Sequence, residues 1–580
     1  MKSNPSFSEN SLYAHLKYEP QVLKFGTSGR RGEVVHLTQL EIYINALAEL
    51  EYLQALPLTD GGIRRGDEFY FACDLRPSST RYVPEQEGRG EIAQAIVRSI
   101  RDAGMRPVNL GMIPTPALTC CARQRGRGSM MITGSHIPFE RNGYKTNTAI
   151  GELLKKDEGP ITVRVQRVRE RLYSQPFDES PFDERGRFKC GHQELPLDIA
   201  DGRETYIRRY VDFFAGRSLK DKRLLVYQHS AVGRDLLVDL LRRLGAEAIP
   251  AGRSETFVPI DTENIDEALL ANVRALAEGA WAKYGPIDAV VSTDGDSDRP
   301  LILGVEPAEP CRVRFFGGDL VGMIVAEHLG ADAAVVPISC NDAVDRGTLK
   351  DIVEPKTRIG SPFVIAGMEK ARRKGRRIIC GWEANGGFLT GSDIECGGKV
   401  LAALPTRDAV LPILGVLFAL CEKGVSMAAL FDQLPKRFSR AALLKHFPRH
   451  TGEQIVKRLS PADATIREVV FENTGVLLLD DDRSELPTKE LHMRALNGIR
   501  EALRSFFTPA LGFTNILRIN YTDGVRIYFG NGDIAHIRPS GNADELRIYA
   551  VADSQTRADA IAESGVAEPS GILRRLELSI

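Results

Sequence analysis

The sequence predicts an α/β protein of several domains: three related units with mixed or parallel sheets, then one antiparallel C-terminal unit. Three observations carry this. A series of strand, loop, amphipathic helix, glycine and strand recurs along the 580-residue chain. Each recurrence leads to a second apolar strand that ends in a polar, glycine-containing loop. The segment 465–580 drops the pattern for short strands separated by Gly and Asp turns. The length agrees, since about 150 residues per domain gives a prior of about four domains.

The first series opens with FYFACD (69–74), read as a strand, and continues through a helix at 91–103, Gly104 and a strand to Leu110. Its second apolar strand, 129–133, runs into Gly134-Ser135-His136. The second series has a strand at 224–228, a helix at 234–244, Gly245 and a strand at 246–250. Its apolar strand, 288–292, runs into Thr293-Asp294-Gly295-Asp296-Ser297-Asp298-Arg299. The third is less regular, with strands at 333–338 and 377–380, the latter running into GWEANGG (381–387). In α/β sheets, ligands bind beyond the carboxyl ends of strands, so the three loops suggest one shared cleft. The Pro- and Gly-rich stretch 172–202 reads as a link between domains, and 304–312 as irregular. Strands are expected at 476–479, 525–528 and 534–537. The longest apolar run, 409–421, is shorter than the roughly 20 residues of a membrane span and reads as a buried helix.

Composition excludes several function classes. There are 76 Lys+Arg against 77 Asp+Glu, a net charge of −1, which leaves no broad basic face for nucleic acid. Any basic site must be local. Nine cysteines, an odd number without a C-x-x-C pair, read as reduced thiols and not as a disulfide framework or zinc site. The polar N-terminus shows no signal-peptide core. The expectation is a cytoplasmic protein with no membrane contact.

Five loops carry candidate chemistry. Asp294, Asp296 and Asp298 alternate along a tight loop and can converge on a hard cation such as Mg²⁺, with Arg299 placed to hold phosphate beside it. An EF-hand would need Gly at the sixth position and Glu at the twelfth; Arg299 and Val305 stand there. A solvated acidic turn is the other reading. Ser135 next to His136 has the residue types of nucleophilic catalysis, although sequence neighbours rarely point at each other. Lys145 can reach back across the Asn142-Gly143 turn to stabilise phosphate or move a proton. Arg538-Pro539-Ser540-Gly541-Asn542, with Arg547 beyond, offers a phosphate nest or an ordinary surface turn. Glu383 and Asn385 can bind adjacent sugar hydroxyls or merely cap a turn. FGTSGRRG (25–32), with Arg30 and Arg31, suits close approach to an anion or a tight structural turn.

Taken in order, FGTSGRRG, TGSHIPFERNGYK, DGDSDR, GWEANGG and RPSGNADELR make the chain resemble the α-D-phosphohexomutase superfamily from Phe25 to about Tyr549. The resemblance implies a four-domain, heart-shaped α/β fold around a central cleft: three related α/β domains plus a smaller C-terminal α+β domain. The implied domains are 1–200 with the phosphoserine loop, 201–312 with the metal loop, 313–436 with the sugar loop and 437–580 with the phosphate loop. It implies an enzyme that interconverts hexose 1-phosphate and hexose 6-phosphate, best read as mannose phosphates, through a bound 1,6-bisphosphate that also serves as activator.

Ser135 matches the family's phosphoserine. Asp294, Asp296 and Asp298 match the Mg²⁺ ligands, with Ser135 completing the site. Lys145 and Arg31 match residues near the reacting hydroxyl, and His136 a cleft histidine. Arg299, Glu383 and Asn385 fall at substrate contacts; Arg538, Ser540, Gly541 and Asn542 match the loop that grips the non-reacting phosphate. Gly360-Ser361-Pro362 lies where a further sugar loop belongs. Ile137, Ser297, Asn385 and 542–544 depart from the common patterns, which opens the choice of sugar. The implied partner is a small hexose phosphate, with the protein a monomer or homodimer. Alternatives are a phosphoglucomutase or phosphoglucosamine mutase, a phosphatase with Asp294 as nucleophile, and an inactive sugar-phosphate sensor.

Overall fold

The computed structural model describes residues 7–579 apart from 88, 264, 307–311, 473–474, 489 and 542–543. The chain forms two compact units: Met1–Phe316 with Asn385–Ala428, and Gly317–Ala384 with Ala429–Ile580. Residues 313–436 contribute to both.

The first unit holds two five-stranded mixed sheets of matching topology. In one, the order is Arg30–Glu33, Arg141–Asn147, Ser129–Ile132, Glu68–Cys73, Arg106–Met112. In the other it is Val313–Phe315, Pro300–Val305, Ala289–Thr293, Arg223–His229, Glu247–Arg253. Each has three parallel strands at its centre and one side, and two antiparallel strands at the opposite edge. The internal repeat is therefore real. In both sheets the central strand is buried along its whole length, as its apolar run requires. It then turns back into an antiparallel partner, and that turn carries Ser135 in one sheet and the aspartate loop in the other.

The helices follow the apolar spacing. Ile92–Asp102 buries Ile92, Ile96, Val97 and Ile100 on one stripe, and Arg234–Arg243 buries Leu236, Leu237, Leu240 and Leu241. Val410–Lys423 is buried from Val410 to Leu420; its proline stands in the first turn, where no intrahelical N–H bond is lost. No helix of the described residues is long and apolar enough to cross a membrane. The stretch 172–202 begins in the helix Lys155–Tyr173 and is otherwise irregular up to the helix Asp201–Phe213.

The second unit is built on an eight-stranded antiparallel sheet. Its order is Phe438–Lys445, Glu545–Ala552, Ile534–Pro539, Val525–Phe529, Ile516–Asn520, Glu468–Phe471, Val476–Leu479, Glu485–Leu486. The three C-terminal strands expected from the sequence are all present, and Phe438–Lys445 adds one at the edge. The same unit carries the parallel pair Ala333–Val335 and Ile379–Trp382. The strand expected at 333–338 stops early: from Val336 the chain leaves the ladder for a single bridge at Pro337, a residue that has no N–H to donate.

Candidate active site

Ser135 sits just past the central strand Ser129–Ile132, with φ of 54°, a left-handed conformation rare for a side chain. The loop holds it there. Ser135 N–H donates to Thr133 Oγ1 at 2.7 Å, and Gly134 N–H to Asp74 Oδ2 at 3.1 Å. Arg76, 1 % exposed, donates to the carbonyls of Ser135, Ile137, Pro138 and Arg141 and lies 3.8 Å from the Phe257 ring centroid. A Cβ on Gly134 would stand 2.4 Å from the Arg76 guanidinium, so the loop closes over that arginine only with glycine there. The left-handed turn also brings the serine Oγ to 3.4 Å from His136 Nδ1. That corrects the expectation that these neighbours point apart. Burial, then Arg299 and Arg407, push His136 well below the usual imidazole range, so it is neutral at pH 7.

The aspartate loop joins Ala289–Thr293 to Pro300–Val305. Asp294 Oδ1 accepts the N–H groups of Asp298 and Arg299 at 3.1 Å, while its Oδ2 accepts the Ser135 hydroxyl at 3.0 Å. Ser297, where the common pattern has glycine, adopts φ of 57°. Its Oγ accepts the Thr293 hydroxyl at 2.8 Å and Gly233 N–H at 2.9 Å, two bonds glycine could not make. Departure from the pattern here buttresses the loop.

One ligand oxygen from each of Asp294, Asp296 and Asp298 lies within 4.8 Å of the other two, and all three residues are buried. Asp296 Oδ2 is taken by Lys145 Nζ at 2.7 Å and Thr115 Oγ1 at 2.7 Å; Asp298 Oδ2 by Lys145 Nζ at 2.6 Å and Arg407 at 3.0 Å. Their Oδ1 atoms are buried with no hydrogen-bond partner among the described residues. Orphaned carboxylate oxygens in a hard-oxygen cluster suit a divalent cation such as Mg²⁺. Burial, then Asp296 and Asp298, push Asp294 well above the carboxylate range; in Asp296 burial is overcome by Lys145, which holds it below that range.

Further cations surround the cluster. Arg299 Nε is 3.9 Å from Asp294 and 3.7 Å from Asp298. Arg31, on the edge strand opposite Gly143, donates to the backbone oxygens of Arg30 and Tyr144. Burial pulls its guanidinium down to about 10, against the pull of Asp296, so it stays charged at neutral pH. A Cβ on Gly143 would lie 1.9 Å from Arg30 O, so the pairing that brings Arg31 alongside Lys145 depends on that glycine.

Asn385 is also in the first unit. Its Oδ1 accepts Gly387 N–H at 2.9 Å, which is the turn-capping alternative, and its amide nitrogen remains for a ligand. In the second unit, Glu383 is buried beyond Ile379–Trp382. Arg538 Nε donates to Asp523 Oδ1 at 3.0 Å, and Asp523 Oδ2 accepts Ile359 N–H at 3.0 Å. One carboxylate thus ties Arg538 to the chain just before Gly360-Ser361-Pro362. Ser540 is buried, with its N–H on Glu545 O at 2.9 Å, and Gly541 O accepts from Arg449 at 3.3 Å. Asn542 lies outside the described residues.

Models of phosphoglucomutase/phosphomannomutase domains match three stretches: α/β/α domain I at 22–171, α/β/α domain III at 317–438 and the C-terminal domain at 483–567. A phosphomannomutase of Salmonella muenchen is 35 % identical over 93 % of this chain and 94 % of its own. The chain belongs to the phosphoglucomutase/phosphomannomutase family. A phosphomannomutase of Sinorhizobium fredii is 34 % identical over 94 % of this chain and 98 % of its own. A solved structure of a family protein from Burkholderia thailandensis covers 96 % of this chain and 98 % of its own, with a TM-score of 0.62; at 17 % identity it speaks for the fold alone. Membership in the phosphoglucomutase/phosphomannomutase family makes the chain a phosphohexomutase, an isomerase that moves a phosphoryl group within a hexose phosphate.

Sequence reasoning missed Arg76, Arg407, Thr115 and Asp523. Each is a single polar residue without a motif. Arg407 alone left a signal, in the charged pair Arg407-Asp408 that precedes the apolar run 409–421.

Proposed function

We propose that the chain interconverts mannose 1-phosphate and mannose 6-phosphate through phospho-Ser135 and a bound mannose 1,6-bisphosphate. The observation that carries this is the Ser135 hydroxyl on Asp294, 3.0 Å away, at the edge of a carboxylate cluster with two orphaned oxygens. Mannose is favoured by the phosphomannomutases at 34–35 % identity. A cytoplasmic monomer or homodimer with a small-molecule substrate fits this reading.

In the forward step a sugar hydroxyl attacks the phosphorus of phospho-Ser135. The new P–O bond forms, the bond to Ser135 Oγ breaks, and the hydroxyl proton passes to a base on the enzyme. Neutral His136 is the base at hand, with Lys145, Arg31 and Arg299 placed to hold charge on the transferring group. The bisphosphate then reorients, and the reverse step at its other end returns a phosphoryl group to Ser135. Asp294, Asp296 and Asp298 would hold Mg²⁺, which supplies charge compensation to the phosphoryl group when bound. Ser540, the Gly541 amide and Arg538 grip the phosphate that is not reacting. Asn385 and Glu383 address the sugar hydroxyls.

Two measurements test this. Coupled assays with mannose, glucose and glucosamine 1-phosphates, each with Mg²⁺ and a trace of the matching 1,6-bisphosphate, should give the highest kcat/KM for mannose. A higher value for either other sugar would replace the proposed substrate. Arg538→Ala should raise the apparent KM about tenfold to a hundredfold, since a charge-assisted hydrogen bond is worth roughly 1.5–3 kcal/mol. An unchanged KM rules out the clamp.

A further inference from the structure

The second unit contains a cavity of about 550 Å³ whose lining shares no residue with the groups proposed for turnover. It lies between the segment 342–356 and the strands Glu468–Phe471, Ile516–Asn520 and Val525–Phe529. The size is that of ordinary small-molecule sites, which run from roughly 300 to 1,000 Å³.

Its charge is unequally satisfied. Three of the four carboxylates in the wall are held by arginines, and the fourth, Asp345, is paired with Lys356. Asp342 is held by Arg437 at 2.7 Å and Arg346 at 3.0 Å, and Asp533 by Arg557 at 2.7 Å. Glu468 takes Arg518 at 3.3 Å and Asn520 at 2.7 Å. The cations are not all committed. Lys350 and Arg483, both exposed at the wall, have no carboxylate partner among the described residues. Lys356 has a side chain only 8 % exposed, yet its ammonium stands 3.1 Å from Asp345 without an aligned hydrogen bond. Arg518 lies 3.8 Å from the centroid of Tyr528, which fixes its guanidinium against an aromatic wall.

We infer that this cavity is a second binding site, for a small phosphorylated metabolite. A phosphate monoester dianion matches the surplus at Lys350 and Arg483, with Lys356 adding positive charge to the wall. The organic part would rest against Leu517 and the Arg518–Tyr528 stack. Arg483 supports a built site: it holds φ of 60° in the turn before Glu485–Leu486, where glycine or asparagine would be the cheaper residue.

The test is calorimetric titration of the full chain with 1,5-anhydromannitol 6-phosphate, which has no anomeric hydroxyl to receive a phosphate. Wild type should bind two equivalents, one at the active site and one here. Lys350→Ala/Arg483→Ala, at two exposed positions outside the catalytic set, should lose one equivalent or weaken it at least tenfold, with turnover at low substrate unchanged. Lys356→Met, which keeps the bulk of the side chain, should do the same. Inorganic phosphate and unphosphorylated 1,5-anhydromannitol identify the recognised group: phosphate should compete for the second site and the neutral sugar should not. A single equivalent in wild type, or two equivalents unaltered in both variants, overturns the inference. So does equal binding of the neutral sugar.

Discussion

Replacing Ser135 by alanine is expected to lower mutase turnover by on the order of 10⁴-fold or more while the chain stays folded. Loss of a covalent nucleophile removes the reaction path and not merely one contact, and such losses reach about 10⁶-fold in kcat elsewhere. The substitution is mild for the fold. Serine already stands at φ of 54°, so alanine inherits a strain that is present rather than adding one. The loop is held by Arg76 through backbone carbonyls and by Asp74 through Gly134 N–H, none of which the hydroxyl supplies. The hydroxyl does satisfy Asp294 Oδ2, so baring that buried oxygen should lower the stability by about 1–3 kcal/mol, far less than the loss in turnover. Intact mass should show a phosphate on wild-type Ser135 that is lost on adding sugar phosphate and never acquired by Ser135→Ala. Retained full turnover in the variant would sink the phosphoserine mechanism and return attention to Asp294 as the nucleophile. Against that alternative, Asp294 Oδ2 faces the Ser135 hydroxyl, which an aspartate nucleophile would leave without a role.

Much of this was readable from the residues, for reasons that differ by element. The repeat was legible because Ile92–Asp102 and Arg234–Arg243 share one helical stripe and a closing left-handed glycine, Gly104 and Gly245. The loops were legible because their strands are buried end to end, which leaves a sharp apolar-to-polar step at Thr133 and at Asp294. What was not legible is whatever depends on a single residue meeting a distant one. Arg76 and Ser135 are 59 positions apart, and Arg407 and Asp298 are 109 apart. No local period marks such pairs. The Ser135–His136 contact was misjudged for a different reason: side-chain direction follows φ, and nothing in the motif announces a left-handed serine. Ser297 shows the converse. It departs from glycine at a left-handed position, and only its two hydrogen bonds show what repays that choice.

Removing the divalent cation, or one carboxylate that would bind it, should be nearly as damaging as removing Ser135. The case rests on where the charges are already balanced. Lys145 and Arg407 occupy the Oδ2 atoms of Asp296 and Asp298, so these cations compensate the cluster in the resting fold. The two buried Oδ1 atoms remain without donors, and a buried carboxylate oxygen left bare costs about 1–3 kcal/mol or more. A divalent ion held by Asp294, Asp296 and Asp298 would offset that cost and supply positive charge to the cluster that accepts the Ser135 hydroxyl. Chelation should therefore abolish turnover, with recovery on adding Mg²⁺. Because the ion binds the folded state, Mg²⁺ at about a hundred times its Kd should add about 2.7 kcal/mol to stability. Asp296→Asn should lose both the activity and this stabilisation. It should also lower the melting point without Mg²⁺, since it weakens the compensation of a lysine that is only 6 % exposed. The stabilisation separates a metal site from a merely structural cluster: if Asp296 and Asp298 served only to anchor Lys145, Mg²⁺ would leave the wild-type melting curve where it was.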